Sequence, residues 1–322
     1  MSESVKLTVS HAPFWHNGSQ IAVKNYNILL ATLLAVIPGI LQYGIPALSV
    51  VTLSIASAMI WELVMNYLTR RPISIGDGNA ALLGMLFAMM LPATTPWWVI
   101  VVGTFFTIVV GKQIYGGLGG NPFHPAVVAM AVLMLSWGSY FDFNGMLVNY
   151  QFDFNPVYPL VLAKSFGTGA VGGFNAMDLL LGRQVGGIGT TFALGLIIGG
   201  VYLMLRGYIR WEIAISFIAG MFVTAFAFHQ ANPEVYASGT FHLLTGYSLF
   251  GAFYLATEDS SSPVNFVPML IYGALGGFMA VLIRNIGTHI DGVIFAILVI
   301  NLANPLIDKI RPKTLRKVIN YA

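Results

Sequence analysis

Apolar residues in this chain come in long runs separated by short polar or glycine-rich stretches, not in the alternation of half-buried strands. Ten runs stand out, at about 27–44, 47–68, 79–92, 97–111, 123–137, 189–205, 211–229, 241–256, 266–283 and 290–307. A membrane-spanning helix needs about 20 apolar residues, fewer where it is short or broken. The runs at 79–92 and 123–137 are short, and glycine or proline interrupts several others. The pattern predicts an all-α polytopic membrane protein of about ten transmembrane helices. Composition agrees: 57% of the 322 residues are hydrophobic and 8% are charged. A soluble domain carries about 25% charged residues, so the polar surface here cannot cover a water-soluble globule.

Charge sets the orientation. With the N-terminus placed in the cytoplasm, that side holds Lys6, Lys24, Arg70, Arg71, Lys112, Arg206, Arg210, Lys309, Arg311, Lys313, Arg316 and Lys317. The other side holds Lys164, Arg183 and Arg284. This split follows the positive-inside rule and predicts two cytoplasmic termini in the inner (cytoplasmic) membrane. The predicted organisation is a cytoplasmic segment 1–26, a first membrane repeat 27–137, a periplasmic loop 138–188, a second repeat 189–308 and a basic tail 309–322. The first residues do not read as a signal peptide. The formal charge of +3 is scattered beside apolar runs, so lipid and not nucleic acid is the expected surrounding. With no cysteine, the chain cannot supply cysteine ligands to an iron–sulfur cluster, a disulfide or a cysteine nucleophile.

An internal repeat is visible. GMLFAMMLPATTP from Gly84 and GAFYLATEDSSSP from Gly251 share the same glycine-to-proline spacing. Each is followed by an apolar helix, a basic residue (Lys112 or Arg284), a glycine-containing turn and a further apolar helix. Five spans between corresponding points would make the two copies inverted, as in many transport folds. The segment KQIYGGLGGNPFHPA (112–126) then stands out. Irregular backbone at membrane depth persists where protein buries it or where it lines a cavity. Asn121 is positioned to cap a helix starting near Pro122, whose free N–H groups would point at an occupant.

Ionisable residues inside spans are functional candidates. Glu62 lies within the second run, with Arg70 or a backbone group as its expected partner. Lys112 has two readings, contact with a cofactor or snorkelling to the cytoplasmic surface, and snorkelling is preferred. Asp77 is expected to cap the helix that follows it; Glu258 and Asp259 have two readings, gating a cation or sitting in a solvated loop, and the loop is preferred. His229 and His242 flank a loop and do not stack on one helix as a bis-histidine haem would require. No catalytic side chain and no metal site is assigned.

The segment KQIYGGLGGNPFHPA, with DGNAALLGMLFAMMLPATTPWW (77–98), GGIGTTFALGLIIGGVYL (186–203), HLLTGYSLFGAFYLATEDSSSPV (242–264) and DGVIFAILVINLANPLIDKIRP (291–312), resembles the NqrB/RnfD family. The N-terminal SHAPFWHNGSQIAVKNYNILLATLLAVIPGI (10–40) fits as well, and the segments keep the family order. The resemblance implies a membrane component of an Rnf-type redox-driven pump, which passes electrons between reduced ferredoxin and NAD and moves Na⁺ or H⁺. It implies other Rnf subunits (A, B, C, E and G) as partners, and a fold like that of urea and ammonium channels, two inverted five-helix halves. It also implies FMN, attached through its phosphate to a threonine in a motif D-G-x-S-x-A-T-P-L, and riboflavin within the membrane part. Lys112 and Asn121 are the candidate cofactor-binding residues there.

The outer loop departs from that motif. Counting back from DLLLGRQVGGIG, the T-P-L of the family falls on Tyr158-Pro159-Leu160 and its serine on Asn155. Thr168, in Ser165-Phe166-Gly167-Thr168, has the right local spacing but lacks the flanking Asp-Gly and Pro-Leu. Tyr158 is the better-aligned position and argues against the usual covalent bond; FMN is then non-covalent or absent. Two other readings stay open: a cofactor-free transporter or channel-like protein, and a structural membrane anchor of a redox complex.

Overall fold

The computed structural model describes residues 20–310, which are helical with no strand among them. Helices α1 (Ile21–Tyr43) and α2 (Ile45–Leu68) form an antiparallel hairpin. Gly44 makes the turn at φ +72°, and Pro46 in the first turn of α2 needs no amide partner there. The short α3 (Asn79–Met90) follows, then α4 (Trp97–Phe105), which widens into a π turn over Phe106–Val110. Then comes α5 (Pro125–Ser136). The long loop carries the small helices α6 (Phe143–Met146), α7 (Pro159–Phe166), α8 (Thr168–Val171) and α9 (Ala176–Leu180). The chain re-enters through α10 (Ala193–Leu205), α11 (Trp211–Ala231) and α12 (Gly239–Leu244). It breaks at residues 245–247 and resumes as α13 (Ser248–Phe250) with a second π turn, Gly251–Leu255. Helices α14 (Phe266–Asn285) and α15 (Val293–Ile307) complete it.

Five segments are long and apolar enough to cross a membrane: Ile21–Tyr43, Ile45–Leu68, Trp97–Tyr115, Trp211–Ala231 and Phe266–Asn285. Four shorter apolar helices, α3, α5, α10 and α15, accompany them. Large apolar side chains such as Leu41 (80% exposed) and Ile45 (81% exposed) face outward, as expected of a surface in contact with lipid. The chain is a multi-pass membrane protein. The apolar runs fall on helices, with one correction. The run at 241–256 is not continuous, because Gly246 takes a left-handed φ of +66° between α12 and α13.

The short helices form the centre. Every residue of α3 from Leu82 to Met90 is buried, and α5 packs against α3 and α15. Long helices surround them: α2 packs on α3 and α4, α11 on α12 and α14, and α1 on α10. Where α3 ends, its open carbonyls are met from the other half of the chain. Gly189 N–H donates to Met89 O (3.0 Å), Ile188 N–H to Leu91 O (3.1 Å), and the Tyr247 hydroxyl to Met90 O (3.0 Å). Only glycine fits at 187, where an added Cβ would lie 2.7 Å from the Met89 carbonyl oxygen. Buried backbone groups without partners are costly in lipid, so this join satisfies a requirement the broken helix creates. The long loop is tied to the helices in turn, with Lys164 Nζ donating to the carbonyls of Gly287 and His289 at 2.6 Å each. The predicted segment 1–26 and tail 309–322 lie largely outside the described residues.

Candidate functional site

Two polar clusters occupy opposite ends of the apolar core. The first lies at the basic end, which carries Lys24 and Lys112. Lys112 follows the π turn and starts the glycine hairpin. Gly116, Gly117 and Gly119 take φ values of +109°, +100° and +84°, and Arg71 Nη1 clasps the turn by donating to Gly116 O (2.8 Å). The hairpin returns the chain to Asn121 and to the start of α5.

Lys112 does not snorkel. It is 2% exposed, and its ammonium donates to both oxygens of Glu62 on α2 (2.7 and 2.8 Å). Ser74 Oγ adds a third hydrogen bond to Glu62 (2.6 Å) and itself accepts from Asn66 Nδ2 (3.0 Å). The expected partner of Glu62, Arg70, is replaced by a lysine fifty residues away. A carboxylate in a span needs a cation at its own depth, and among the described residues the hairpin supplies it. Asn121 is not a helix cap either. Helix α5 begins three residues later than expected, at Pro125, with His124 as its N-terminal boundary. The Asn121 amide instead donates to Phe123 O (3.0 Å) and to Glu258 Oε1 (3.2 Å). Asp77 behaves as expected, accepting from Asn79 N–H (2.8 Å) at the start of α3.

Lys112, Asn121, His124 and Glu258 line one cavity of about 310 Å³. Its walls are apolar, from Ile28, Leu82, Leu86 and Phe253, and Lys24, ion-paired with Asp259, also lines it. An apolar slot with a few convergent polar groups is the usual form of a small-molecule site. Glu258 is half-buried and accepts from Ser261 N–H (2.9 Å), so it belongs to the cavity wall and not to a solvated loop. Asp259 is exposed, as expected.

The second cluster lies at the loop end, and sequence reasoning missed it. Arg284 (2% exposed) donates through Nη2 and Nε to Asp291 Oδ1 (2.9 and 3.2 Å). It also donates to the carbonyls of His242 (2.8 Å) and Thr245 (3.3 Å), across the break between α12 and α13. Asp291 accepts from Tyr247 N–H (2.7 Å) and Val293 N–H (3.1 Å), closing the start of α15. A signal for it did exist: Asp-Gly precedes an apolar run twice, at Asp77-Gly78 and Asp291-Gly292, and both aspartates cap the helix that follows.

Tyr158 and Thr168 both sit in the loop but apart. Tyr158 bounds the start of α7, is 3% exposed, and packs its ring on Phe143 (centroids 4.9 Å apart). Its hydroxyl is enclosed without a hydrogen-bond partner of good geometry. Burial and the neighbouring Asp291 carboxylate push that phenol well above its ordinary pKa. Thr168 is half-buried at the start of α8, and its hydroxyl faces the carbonyls of Pro233 and Glu234 (2.9 Å each). Neither residue lines the cavity at the basic end.

Fold and sites together define a multi-pass membrane protein with short central helices and buried ion pairs at both ends. Residues 8–316 match the model of the NQR2, RnfD, RnfE family, and the chain belongs to that family. It is 33% identical to the D component of the Na⁺-translocating ferredoxin:NAD⁺ oxidoreductase complex of Acetobacterium woodii, covering 95% of this chain and 93% of that one. It is 31% identical to the proton-translocating counterpart of Clostridium ljungdahlii, over 94% of each. It is also 31% identical to the D component of the ion-translocating oxidoreductase complex of Cronobacter sakazakii, over 93% of this chain and 96% of that one.

Proposed function

We propose that this chain is the D-type membrane component of an Rnf-type complex, taking part in electron transfer between reduced ferredoxin and NAD coupled to translocation of Na⁺ or H⁺. The carrying observation is its end-to-end match to relatives named as that component, with no large part of either chain left over. The chain is not a complete enzyme. With no cysteine of its own, it relies on other subunits (A, B, C, E and G) for any iron–sulfur centre.

The architecture is read as two inverted halves, 27–137 and 189–308. In support, α2 packs on α3 and α4 as α11 packs on α12 and α14. Helix α5 starts at the basic end and α15 at the loop end, so these central helices run in opposite senses. Their N-terminal dipoles then face opposite sides, as in transporters with broken helices. The basic end is assigned to the cytoplasm and the loop 138–188 to the outside of the inner membrane.

The fit to flavin differs between the two ends. The Tyr158 hydroxyl is enclosed beside a carboxylate, which does not suit a phosphate ester. The Thr168 hydroxyl faces two backbone carbonyls at the start of a one-turn helix, which does not favour it either. The basic-end cavity does suit a non-covalent flavin, FMN or riboflavin, with apolar walls for a ring and Lys112 and Asn121 for its polar edge. Bound there, a flavin would supply one- and two-electron redox chemistry, and the protein would orient it.

The test is to denature the purified complex in SDS and compare in-gel flavin fluorescence with the acid-released supernatant. Flavin in the supernatant alone is the expected result. Fluorescence on the band that survives Tyr158→Phe and is lost in Thr168→Ala would make Thr168 an attachment site. No flavin in either fraction would leave the cofactor-free transporter or anchor reading.

A further inference from the structure

The floor of the basic-end cavity carries a pair of titratable groups for which electron transfer gives no reason. His124 is 1% exposed, and its Nδ1 has no hydrogen-bond partner. An unsatisfied ring nitrogen at that depth is costly unless something occupies the space it faces. Glu258 lines the same cavity. Both its oxygens are held, by Asn121 Nδ2 (3.2 Å) and Ser261 N–H (2.9 Å), so the carboxylate is fixed in place.

The backbone at His124 is anchored as well: with the Asn301 amide on α15 turned so that both its ends are satisfied, the His124 main-chain N–H donates to the Asn301 oxygen (3.0 Å) and the Asn301 nitrogen reaches the hydroxyl of Tyr272 on α14. A polar thread therefore leads from the cavity into the contact of α5 with α15. The other charged groups of the cavity are already paired, Lys24 with Asp259 and Lys112 with Glu62. Tyr254 is the remaining titratable group, and its hydroxyl donates to Ala31 O (3.5 Å). Among the described residues, Glu258 has no basic partner within ion-pair distance.

Hard metal cations take oxygen ligands, several at a time. A buried imidazole nitrogen that shares its cavity with a single fixed carboxylate suits a proton. We propose that His124 and Glu258 form a proton-loading site at the cytoplasmic mouth of the translocation route, making H⁺ the ion this chain handles. The inference rests on the functional reading that the chain works in an ion-translocating complex. One proton is taken from the aqueous side onto Nδ1, with Glu258 stabilising the imidazolium, and is given up again. An N–H bond forms and breaks, and no electron moves in this step.

The test uses the assembled complex in sodium-free proteoliposomes, driven by reduced ferredoxin and NAD⁺. Proton uptake is read with an internal pH-sensitive dye, NADH formation is read in the same sample, and a parallel arm contains radiolabelled sodium. The wild type is expected to take up protons without sodium. His124→Asn and Glu258→Gln are each expected to lose proton uptake per NADH formed, and Glu258→Asp to recover part of it. Glu258→Gln leaves the start of α5 untouched, so it decides the matter if His124→Asn fails to assemble. Sodium uptake without proton uptake by the wild type, or a Glu258→Gln complex with the wild-type ratio, overturns the proposal. A wild-type complex that forms no NADH from ferredoxin defeats the functional reading itself, and the proton proposal with it.

Discussion

The two buried ion pairs make an instructive contrast. Arg284–Asp291 at the loop end is held almost wholly by backbone: two carbonyls accept from the arginine and two N–H groups donate to the aspartate. Lys112–Glu62 at the basic end is held by side chains, Ser74 and behind it Asn66. The first pair fixes the chain path at a helix break. The second can rearrange without moving the backbone, and it borders the cavity. A planar guanidinium with directed donors suits the first role, and a compact ammonium on a flexible stem suits the second. The fold is therefore rigid where it must close a break and adaptable where it borders the cavity.

The sharpest way to break this contrast is to remove one partner at the loop end. Asp291→Ala should cost about 3–5 kcal/mol, the usual penalty for stranding a buried charge. Melting of the detergent-purified chain, followed by size-exclusion fluorescence, would read it. A melting temperature like that of the wild type would show that the pair is not structural. Gly246→Ala comes next. Its φ of +66° is strained for alanine, and the added Cβ would lie 2.2 Å from Asp291 Oδ2. It should lower the melting temperature nearly as far.

Glu62→Gln should cost less, about 1–3 kcal/mol, because the isosteric amide keeps an oxygen that can still accept from Lys112. A penalty equal to that of Asp291→Ala would erase the distinction between the ends. Tyr158→Phe removes a hydroxyl with no hydrogen-bond partner and should stay within about 0.5 kcal/mol of the wild type. The smallest effect belongs to Lys24→Ala. Its partner Asp259 is 62% exposed, so the pair is worth about 0–1 kcal/mol and less in high salt.

Much of the fold could be read in the sequence, because a bilayer enforces helix length and apolarity residue by residue. The ends of α2, α10 and α11 fall within a few residues of their predicted limits for that reason. The break at 245–247 was hidden because His242, Thr245 and Tyr247 look like tolerable residues within an apolar run. Asn121 was misread because Pro122 and Pro125 both qualify as helix starts, and only packing chooses between them. The ion pairs were the least legible. Glu62 and Lys112 lie fifty residues apart, and nothing local in either segment names the other. The recurrence of Asp-Gly before an apolar run was the one local cue that pointed to Asp291.

The join that closes the end of α3 also has a consequence for how the protein is made. The carbonyls of Met89 and Leu91 enter the membrane well before the ribosome produces the amides of Ile188 and Gly189 that satisfy them. At about 5–20 residues per second the first half waits for seconds with open acceptors where no water can serve them. A chain stopped short of Gly187 is expected to be cleared faster than the full-length protein in a pulse–chase measurement, and equal lifetimes would count against the idea. Completion of synthesis is thus written into the hydrogen bonding itself, and a truncated product carries its own mark for disposal.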